Sequence, residues 1–194
     1  MRILLIGFEP FGGDAINSSQ ETVKAVACDE LVGVEIMKEM LPVSFKMAGT
    51  EICRLITESV PDIVIMLGQS GKSDFIKIER VALNLMDSSK EDNDGYIPDD
   101  ETICAGAPAA YFTKMPVKTL RDSLIQSGIP AKVSNSAGLY VCNRTYFAAL
   151  HHIATSGSKT KAVFIHLPKI SDEWPLLKMN DVVKQLIITI NQKS

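Results

Sequence analysis

The segment Ala131-Lys-Val-Ser-Asn-Ser-Ala-Gly-Leu-Tyr-Val-Cys142 contains a short strand, a turn with a glycine, and the start of a helix. The strand is predicted over Ala131–Ser134 and the helix over Leu139–Ala154. The rest of the chain repeats this order, because short apolar runs alternate with amphipathic stretches. Short buried strands that alternate with helices predict an α/β fold, with a largely parallel or mixed sheet and helices on both faces.

The same two patterns predict the other elements of the fold. Apolar runs indicate strands at Arg2–Ile6, Val34–Pro42, Asp62–Leu67 and Ala162–His166. Apolar residues at helical spacing indicate helices at Ser18–Cys28, Phe45–Ser59, Val117–Ser127 and Asn180–Ile190. The β-branched residues of Phe75–Leu83 favour an extended hairpin, and the polar stretch Ser88–Gly106 is typical of a long loop or a small excursion. In such sheets functional groups collect on the loops beyond the strand ends.

Length, charge and hydropathy narrow the class of protein. A chain of 194 residues can form one full hydrophobic core and is short for two, so we expect a single domain over 1–194. The net charge is −3 and the basic residues are scattered singly, which predicts no partnership with nucleic acid or anionic lipid. The apolar run at the N-terminus is too short for a signal peptide, and no run approaches the ~18–20 residues of a membrane span. We therefore expect a cytoplasmic protein that does not bind membranes.

The cysteines are candidates for nucleophilic chemistry. They are widely spaced and form no Cys-x-x-Cys pair, so in a reducing compartment we expect thiols, neither a disulfide framework nor a zinc site. Cys28 and Cys53 lie on amphipathic helices, where buried thiols are usually inert. Cys104 lies in the polar loop, and its role is open. Cys142 begins a predicted helix, where free N–H groups stabilise a thiolate and can hold an oxyanion.

A cysteine nucleophile needs a base, and the chain has three histidines. His151 and His152 lie on the same predicted helix as Cys142, roughly 13–15 Å further along its axis, so neither can reach the sulfur. His166 ends an apolar strand, where a sheet presents catalytic groups, although a structural role for it stays open. Whether it meets Cys142 in space depends on the tertiary fold.

Glu79 stands out among the carboxylates because it lies within the apolar stretch Phe75–Leu83. A buried carboxylate needs a partner, since unpaired burial of a charge is costly. Two readings stay open at this point: a functional carboxylate, or a residue paired with Arg80 or Lys77 or exposed on one strand face.

Two glycine-containing loops invite a comparison with nucleotide-binding motifs. Gly68-Gln-Ser-Gly-Lys-Ser73 resembles the end of a phosphate-binding loop, but Met66 stands where that loop needs its first glycine and no amphipathic helix follows. Gly7-Phe-Glu-Pro-Phe-Gly-Gly13 lacks the dinucleotide pattern. Phe8 and Phe11 in it suit a flat apolar ligand, or else pack plainly into the core.

Five motifs in order along the chain resemble the pyrrolidone-carboxylate peptidases (pyroglutamyl peptidase type I), a family of cysteine exopeptidases. Together they span nearly the whole chain, and they are Gly7–Gly13 with Ile16-Asn17, Gly68-Gln69 through Glu79–Asn84 and Asp87, Gly106–Phe112, Ser134–Asn143, and Phe164-Ile-His-Leu-Pro168. The resemblance implies an open, three-layer αβα sandwich around a twisted, mixed and largely parallel sheet. It also implies a thiol protease that releases N-terminal pyroglutamyl residues from peptides through a thioester, with no metal or organic cofactor and often as a homotetramer.

The resemblance also assigns roles to residues. It implies a catalytic triad of Cys142, His166 and Glu79. It implies substrate binding by the following residues, in which Gln69 and Val141 act through their backbones: Phe8, Phe11, Asn17, Gln69 and Val141.

The chain departs from the family pattern at two basic positions. Lys72 replaces an arginine, and Ser89, with Lys90 beside it, replaces a second arginine linked to oxyanion stabilisation. Removal of an oxyanion donor can cost ~10²–10³ in rate. An alternative prediction is therefore a weakly active or inactive relative that binds pyroglutamyl or other lactam ligands.

Overall fold

The computed structural model describes residues 1–27, 31–71 and 73–192. Strands and helices alternate along these residues except in the middle of the chain, where four strands follow one another. The strands are β1 (Arg2–Phe8), β2 (Glu35–Leu41), β3 (Ile63–Ser70), β4 (Ile76–Glu79), β5 (Val81–Leu83), β6 (Ala110–Phe112), β7 (Ala131–Ser134) and β8 (Lys161–Pro168). The helices are α1 (Ser18–Ala25), α2 (Ala48–Ser59), α3 (Val117–Gln126), α4 (Val141–Thr155) and α5 (Leu176–Asn191). Among the residues described, no helix is long and apolar enough to cross a membrane.

Six strands form one mixed sheet in the order β2-β1-β3-β8-β4-β7. All neighbours are parallel except β4 and β8, which run antiparallel. The central strands are buried on both faces, which explains why they read as continuous apolar runs and not as alternating ones. β5 and β6 form a separate two-stranded antiparallel sheet.

Two hydrophobic cores lie on opposite faces of the sheet. Along β1, Ile3 and Leu5 belong to one core and Leu4 and Ile6 to the other, because successive side chains of a strand point to opposite faces. Helices α1, α3 and α5 cover the first core, and α2 and α4 cover the second. The prediction of a three-layer αβα sandwich with a mixed, largely parallel sheet is confirmed.

The structure corrects the predicted end of β3. The strand was expected to stop at Leu67, but it continues through Gly68 and Gln69 to Ser70. Its pairing with β8 continues over the same residues, with Gly68 opposite His166. A glycine does not end a strand when the neighbouring strand still supplies hydrogen-bond partners.

The predicted hairpin over Phe75–Leu83 is wrong. The chain divides at Arg80: β4 enters the main sheet between β8 and β7, and β5 pairs with β6. Local β propensity indicated extended backbone correctly, but the partners of both strands are distant in sequence. Ser88–Gly106 is a long loop, as predicted, because it contains no helix or strand. Glu101 in this loop forms an isolated antiparallel bridge with Met86, which lies just before it.

Helix ends differ from the predictions by a few residues. α5 begins at Leu176, after Pro175 and before the predicted Asn180. α2 begins at Ala48 and not at Phe45, and α1 ends at Ala25. The predicted end of α1 at Cys28 lies outside the described residues.

Candidate active site

Cys142 is the second residue of α4, directly after the turn that joins this helix to β7. Gly138 in this turn has φ of 79°, a left-handed conformation that a residue with a side chain rarely adopts. The N-cap residue Tyr140 makes no side-chain hydrogen bond to the helix. By contrast, Asn17 caps α1 by accepting a hydrogen bond from the Ser19 N–H. The uncapped first turn of α4 therefore leaves backbone donors and the positive end of the helix dipole beside the Cys142 sulfur.

His166 and Glu79 meet across the antiparallel pair of β8 and β4. The Nδ1 atom of His166 lies 2.8 Å from Oε1 of Glu79. Glu79 is fully buried, and His166 is 8% exposed. The ion pair of Glu79 is thus with His166, while Lys77 donates to the Ser70 hydroxyl instead.

The second carboxylate oxygen of Glu79, Oε2, is buried and has no hydrogen-bond partner among the described residues. The strand backbone at the same residue is held by Tyr146, whose hydroxyl donates to the Glu79 carbonyl at 3.0 Å. His166 is therefore the one described residue that hydrogen-bonds to the Glu79 carboxylate.

The His166 imidazole also interacts with the Cys142 sulfur. Burial alone would lower the pKa of His166, but hydrogen bonds and charge interactions with Cys142 and Glu79 overcome it and raise this pKa to about 9. Cys142 is half-buried, so a ligand can approach its sulfur. The geometry can support nucleophilic attack by a thiolate with an imidazolium oriented by a carboxylate.

Gly68 lets these groups approach one another. A Cβ atom at this position would lie 2.7 Å from the ring of Phe164 and 3.2 Å from the Cys142 Sγ. The strand can therefore pass directly beneath the sulfur only because residue 68 has no side chain.

A small pocket opens beside the sulfur. The structure brings all five predicted substrate-binding residues to its wall, together with Cys142: Phe8, Phe11, Asn17, Gln69 and Val141. Three further residues complete the lining: Val43, Gly68 and Tyr140. The wall is mostly apolar and contains no Asp, Glu, Lys, Arg or His side chain.

The two amide side chains of the pocket wall, Asn17 and Gln69, hydrogen-bond to the surrounding protein. Oε1 of Gln69 accepts hydrogen bonds from the Ser18 N–H and hydroxyl, and its Nε2 donates to Asp14. Asn17 donates to the Glu9 carbonyl at 3.0 Å, which ties the loop after β1 to the start of α1. Their side chains therefore hold the walls of the pocket.

Tyr140 is a pocket residue to which the sequence analysis gave no role. Its ring lies 5.9 Å from Phe11 and 5.1 Å from Phe45, and its hydroxyl donates to the Glu91 carbonyl. Burial, with the negative charges of Asp92, Cys142 and Glu91, raises the pKa of Tyr140 to about 12. Its position two residues before the candidate nucleophile was the available signal.

The other two thiols that the structure describes, and the other two histidines, lie away from this pocket. The His152 ring contacts Thr57, and His151 contacts Cys104 and Tyr111, so neither histidine serves Cys142. Cys53 donates weakly to the Ala148 carbonyl, and burial raises its pKa.

Of the two positions where the chain lacks an arginine of the family pattern, the structure describes Ser89 and not Lys72. Ser89 is exposed on the loop whose Asp87 N–H donates to the Leu139 carbonyl, beside the start of α4. Lys72 lies outside the described residues, as does Cys28. No helix follows Ser73, because the chain enters β4, which removes the phosphate-loop interpretation.

Comparison with known families decides between the remaining classes of protein. A family model described as pyroglutamyl peptidase matches residues 1–190. The chain belongs to the pyroglutamyl peptidase family. As a member of this family it is a cysteine-type hydrolase. The family and the enzyme class that the motifs predicted are therefore both confirmed.

Named relatives agree with the family model. A pyrrolidone-carboxylate peptidase of Thermococcus onnurineus is 46% identical over 195 residues, which cover 98% of this chain and 97% of the relative. Another, of Thermococcus kodakarensis, is 51% identical over 168 residues, which cover 87% of this chain and 81% of the relative. The structure of a mutant pyrrolidone carboxyl peptidase of Pyrococcus furiosus superposes with a TM-score of 0.94 at 34% identity. The superposition covers 100% of this chain and 99% of the other.

The described part of this family member shows no preformed metal site. No group of three or more His, Cys, Asp and Glu side chains there is arranged to hold a metal ion.

Proposed function

We propose that the chain releases the N-terminal pyroglutamyl residue from peptides, with Cys142 as nucleophile, His166 as base and Glu79 as the residue that orients the base. The observation that carries this proposal is the arrangement of Cys142 between an uncapped helix terminus and the buried His166–Glu79 pair, at the wall of an apolar pocket.

The reaction begins when His166 accepts the Cys142 proton and Glu79 stabilises the imidazolium. The thiolate attacks the pyroglutamyl carbonyl, and the free N–H groups in the first turn of α4 hold the oxyanion. The imidazolium then protonates the departing amine, and a water molecule activated by His166 hydrolyses the thioester.

The pocket suits an uncharged ring. Phe8 and Phe11 provide apolar walls, and the backbones of Gln69 and Val141 supply polar groups for the lactam N–H and C=O. A plain proline ring would leave these groups unpaired and carries a charged amine, so the site should reject it.

The pocket must widen when a substrate binds. The free space at its centre is only about 10 Å³, which is about the volume that one water molecule needs. Phe11 is the movable wall, because it is partly exposed and precedes Gly12 and Gly13, both exposed and at positive φ. We infer that the lactam ring enters by displacing Phe11 and its loop.

An active peptidase is favoured over the weakly active or inactive alternative. The family match spans most of the chain, and the residues of the triad lie in one contiguous arrangement. Ser89 is exposed, and Lys90 follows it. A hydrogen bond from Lys169 is the main cause that lowers the pKa of Asp14, and the charge of Lys90 contributes to the same shift. Lys90 thus adds positive charge near the pocket, without the planar fork of an arginine.

We propose further that the protein acts in the cytoplasm as a single peptidase domain over 1–194, without metal or organic cofactor, and assembles as a homo-oligomer. Its substrates are peptides with N-terminal pyroglutamate. The family match supports the substrate class, and the resemblance described above suggests a tetramer.

Hydrolysis of a chromogenic pyroglutamyl amide tests the proposal. Wild-type protein should release the amine, and Cys142→Ser should not. Cys53→Ser is the matched control, since this thiol has no histidine partner, and it should keep the activity. The corresponding prolyl amide should not be cleaved. No release by folded wild-type protein at any neutral pH would refute the peptidase, and release by Cys142→Ser would refute the nucleophile.

A further inference from the structure

A second cysteine–histidine pair lies on the face of α4 away from the pocket. The Sγ atom of Cys104 is 3.6 Å from Nε2 of His151, and the other ring nitrogen, Nδ1, is 2.9 Å from the Tyr111 hydroxyl. The order of thiol, imidazole and oxygen is the same as at Cys142, with a phenol in place of the carboxylate. None of these three residues takes part in the proposed peptidase reaction.

The imidazole is held in one orientation. The His151 ring stacks on Phe147, with 5.9 Å between ring centroids and 10° between ring planes, and Tyr111 fixes its Nδ1 edge. Asn84 holds the Cys104 backbone, because its Oδ1 accepts from the Cys104 N–H and its Nδ2 donates to the carbonyl. Both partners therefore meet without the ordering cost that two free side chains would carry.

The pair opens onto a surface cleft of about 480 Å³ between α2, α4 and the loop of Cys104. Cys104 is half-buried, and the cleft wall includes Cys53, His151 and the guanidinium-bearing Arg144. A small molecule can therefore reach the Cys104 sulfur from solvent.

Arg144 offers the cleft a charge that no described residue neutralises. Its guanidinium lies against Gly49, where a Cβ atom would be 2.1 Å from Nη1, and no described side chain forms a salt bridge with it. Burial lowers the pKa of Arg144, whereas the nearby Cys53 and Cys104 thiols raise it, which places the cation beside the sulfur atoms. A planar guanidinium in this position suits a carboxylate, which it can bind through two hydrogen bonds.

We infer that Cys104 is a modification site, at which His151 activates the thiol for exchange with a small disulfide that carries a carboxylate, and Arg144 binds that carboxylate. His151 takes the Cys104 proton, and the thiolate attacks one sulfur of the disulfide. A new S–S bond joins that sulfur to Cys104 while the original S–S bond breaks. The other half leaves as a thiolate and receives the proton from His151, so Cys104 is oxidised and the small disulfide is reduced.

The test uses the full-length Cys142→Ser variant, which removes the candidate active-site thiol from the reaction. Its exchange with dithiobis(nitrobenzoate), which carries two carboxylates, is followed by release of the coloured thiol, and the labelled cysteine is found by peptide mass. The label in the fast phase should be on Cys104. Fast labelling of another cysteine would overturn the inference.

Two further variants in this background test the roles of the neighbours. His151→Phe should slow the exchange by about tenfold or more, because a free thiol is only a few per cent ionised at neutral pH. His152→Phe is the matched control, since this ring lines the same cleft but contacts Thr57, and it should react at the original rate. His151→Gln, which can still hydrogen-bond to Tyr111 but cannot take a proton, should be slow as well. Fast exchange in both His151 variants would overturn the role of the imidazole, whatever their stability.

Arg144→Gln tests recognition of the carboxylate. It should slow the reaction with dithiobis(nitrobenzoate) by roughly tenfold, which is the effect of losing one charge-assisted hydrogen-bonded pair. The reaction with uncharged dithiodipyridine should keep its rate. Equal slowing with both disulfides, or slowing with neither, would overturn the assignment of a carboxylate-bearing ligand. Because peptidase activity is not measured, the outcome is independent of the proposed function.

Discussion

Glu79→Gln removes the charge that faces the His166 imidazole and keeps nearly the same side-chain shape. The Nδ1 and Oε1 atoms are 2.8 Å apart, and both groups are largely buried, so little water can screen the pair. The two charge centres are then roughly 4 Å apart, and at an effective dielectric constant of about 20 their attraction is about 4 kcal/mol. If the reaction passes through an imidazolium, this stabilisation is lost from the transition state. Since about 1.4 kcal/mol corresponds to tenfold, kcat should fall by about a thousandfold.

The assay is hydrolysis of a chromogenic pyroglutamyl amide, with kcat and KM measured separately. KM should stay within a few-fold of wild type, because Glu79 does not line the substrate pocket. The pKa of His166 should fall, because Glu79 is one of the two groups that raise it. Glu79→Asp retains the charge at a longer distance and should recover part of the rate.

Glu58→Gln is the control for loss of a carboxylate in general. Glu58 is exposed on α2, where it pairs with Arg54, and its substitution should change neither kcat nor stability measurably. A folded Glu79→Gln protein with kcat within about tenfold of wild type would refute the reasoning that the charge of Glu79 stabilises the imidazolium. A change in KM alone would refute it equally.

Three other predictions follow from the same site. Cys142→Ser should lower the pKa of His166 from about 9, because hydrogen bonding and charge at the sulfur raise it; an NMR titration of the imidazole checks this, and an unchanged midpoint would contradict it. Gly68→Ala should abolish most activity and destabilise the fold by about 1–3 kcal/mol, measured by urea unfolding, because its Cβ would overlap a phenylalanine ring of β8. Phe11→Ala should raise KM with little loss of stability. Phe8→Ala should lower the free energy of unfolding by about 3–5 kcal/mol, because the Phe8 side chain is only 2% exposed. A larger loss of stability in Phe11→Ala than in Phe8→Ala would show that Phe11 is not the movable wall.

Much of the fold was readable from the sequence because its signals are local. β7 has the predicted bounds, and the central strands of the main sheet are short apolar runs because they are buried on both faces. The motifs indicated the family before any geometry was known, and the family model confirms it. The roles of the individual site residues stay predictions. The structure places Cys142 and the five predicted substrate-binding residues at one pocket, and it pairs His166 with Glu79.

Other features depended on contacts that no local pattern encodes. The hairpin prediction failed because β4 takes its partners from β7 and β8, which lie far along the chain. Tyr140 entered the pocket wall through packing with Phe11 and Phe45. The Cys104–His151 pair likewise joins a loop and a helix that are 47 positions apart in sequence.

The sequence by itself determined the layered α/β fold, the family and the residue types available for chemistry. It also excluded both histidines of α4 as partners for Cys142, since helix geometry separates them along one axis. Only the tertiary structure decided which charges meet. Glu79 faces His166 because β4 enters the sheet antiparallel to β8, and antiparallel register brings side chains from distant segments to the same point. Local signals could select Cys142 as the candidate nucleophile, whereas the pairing of His166 with Glu79 required the sheet to assemble.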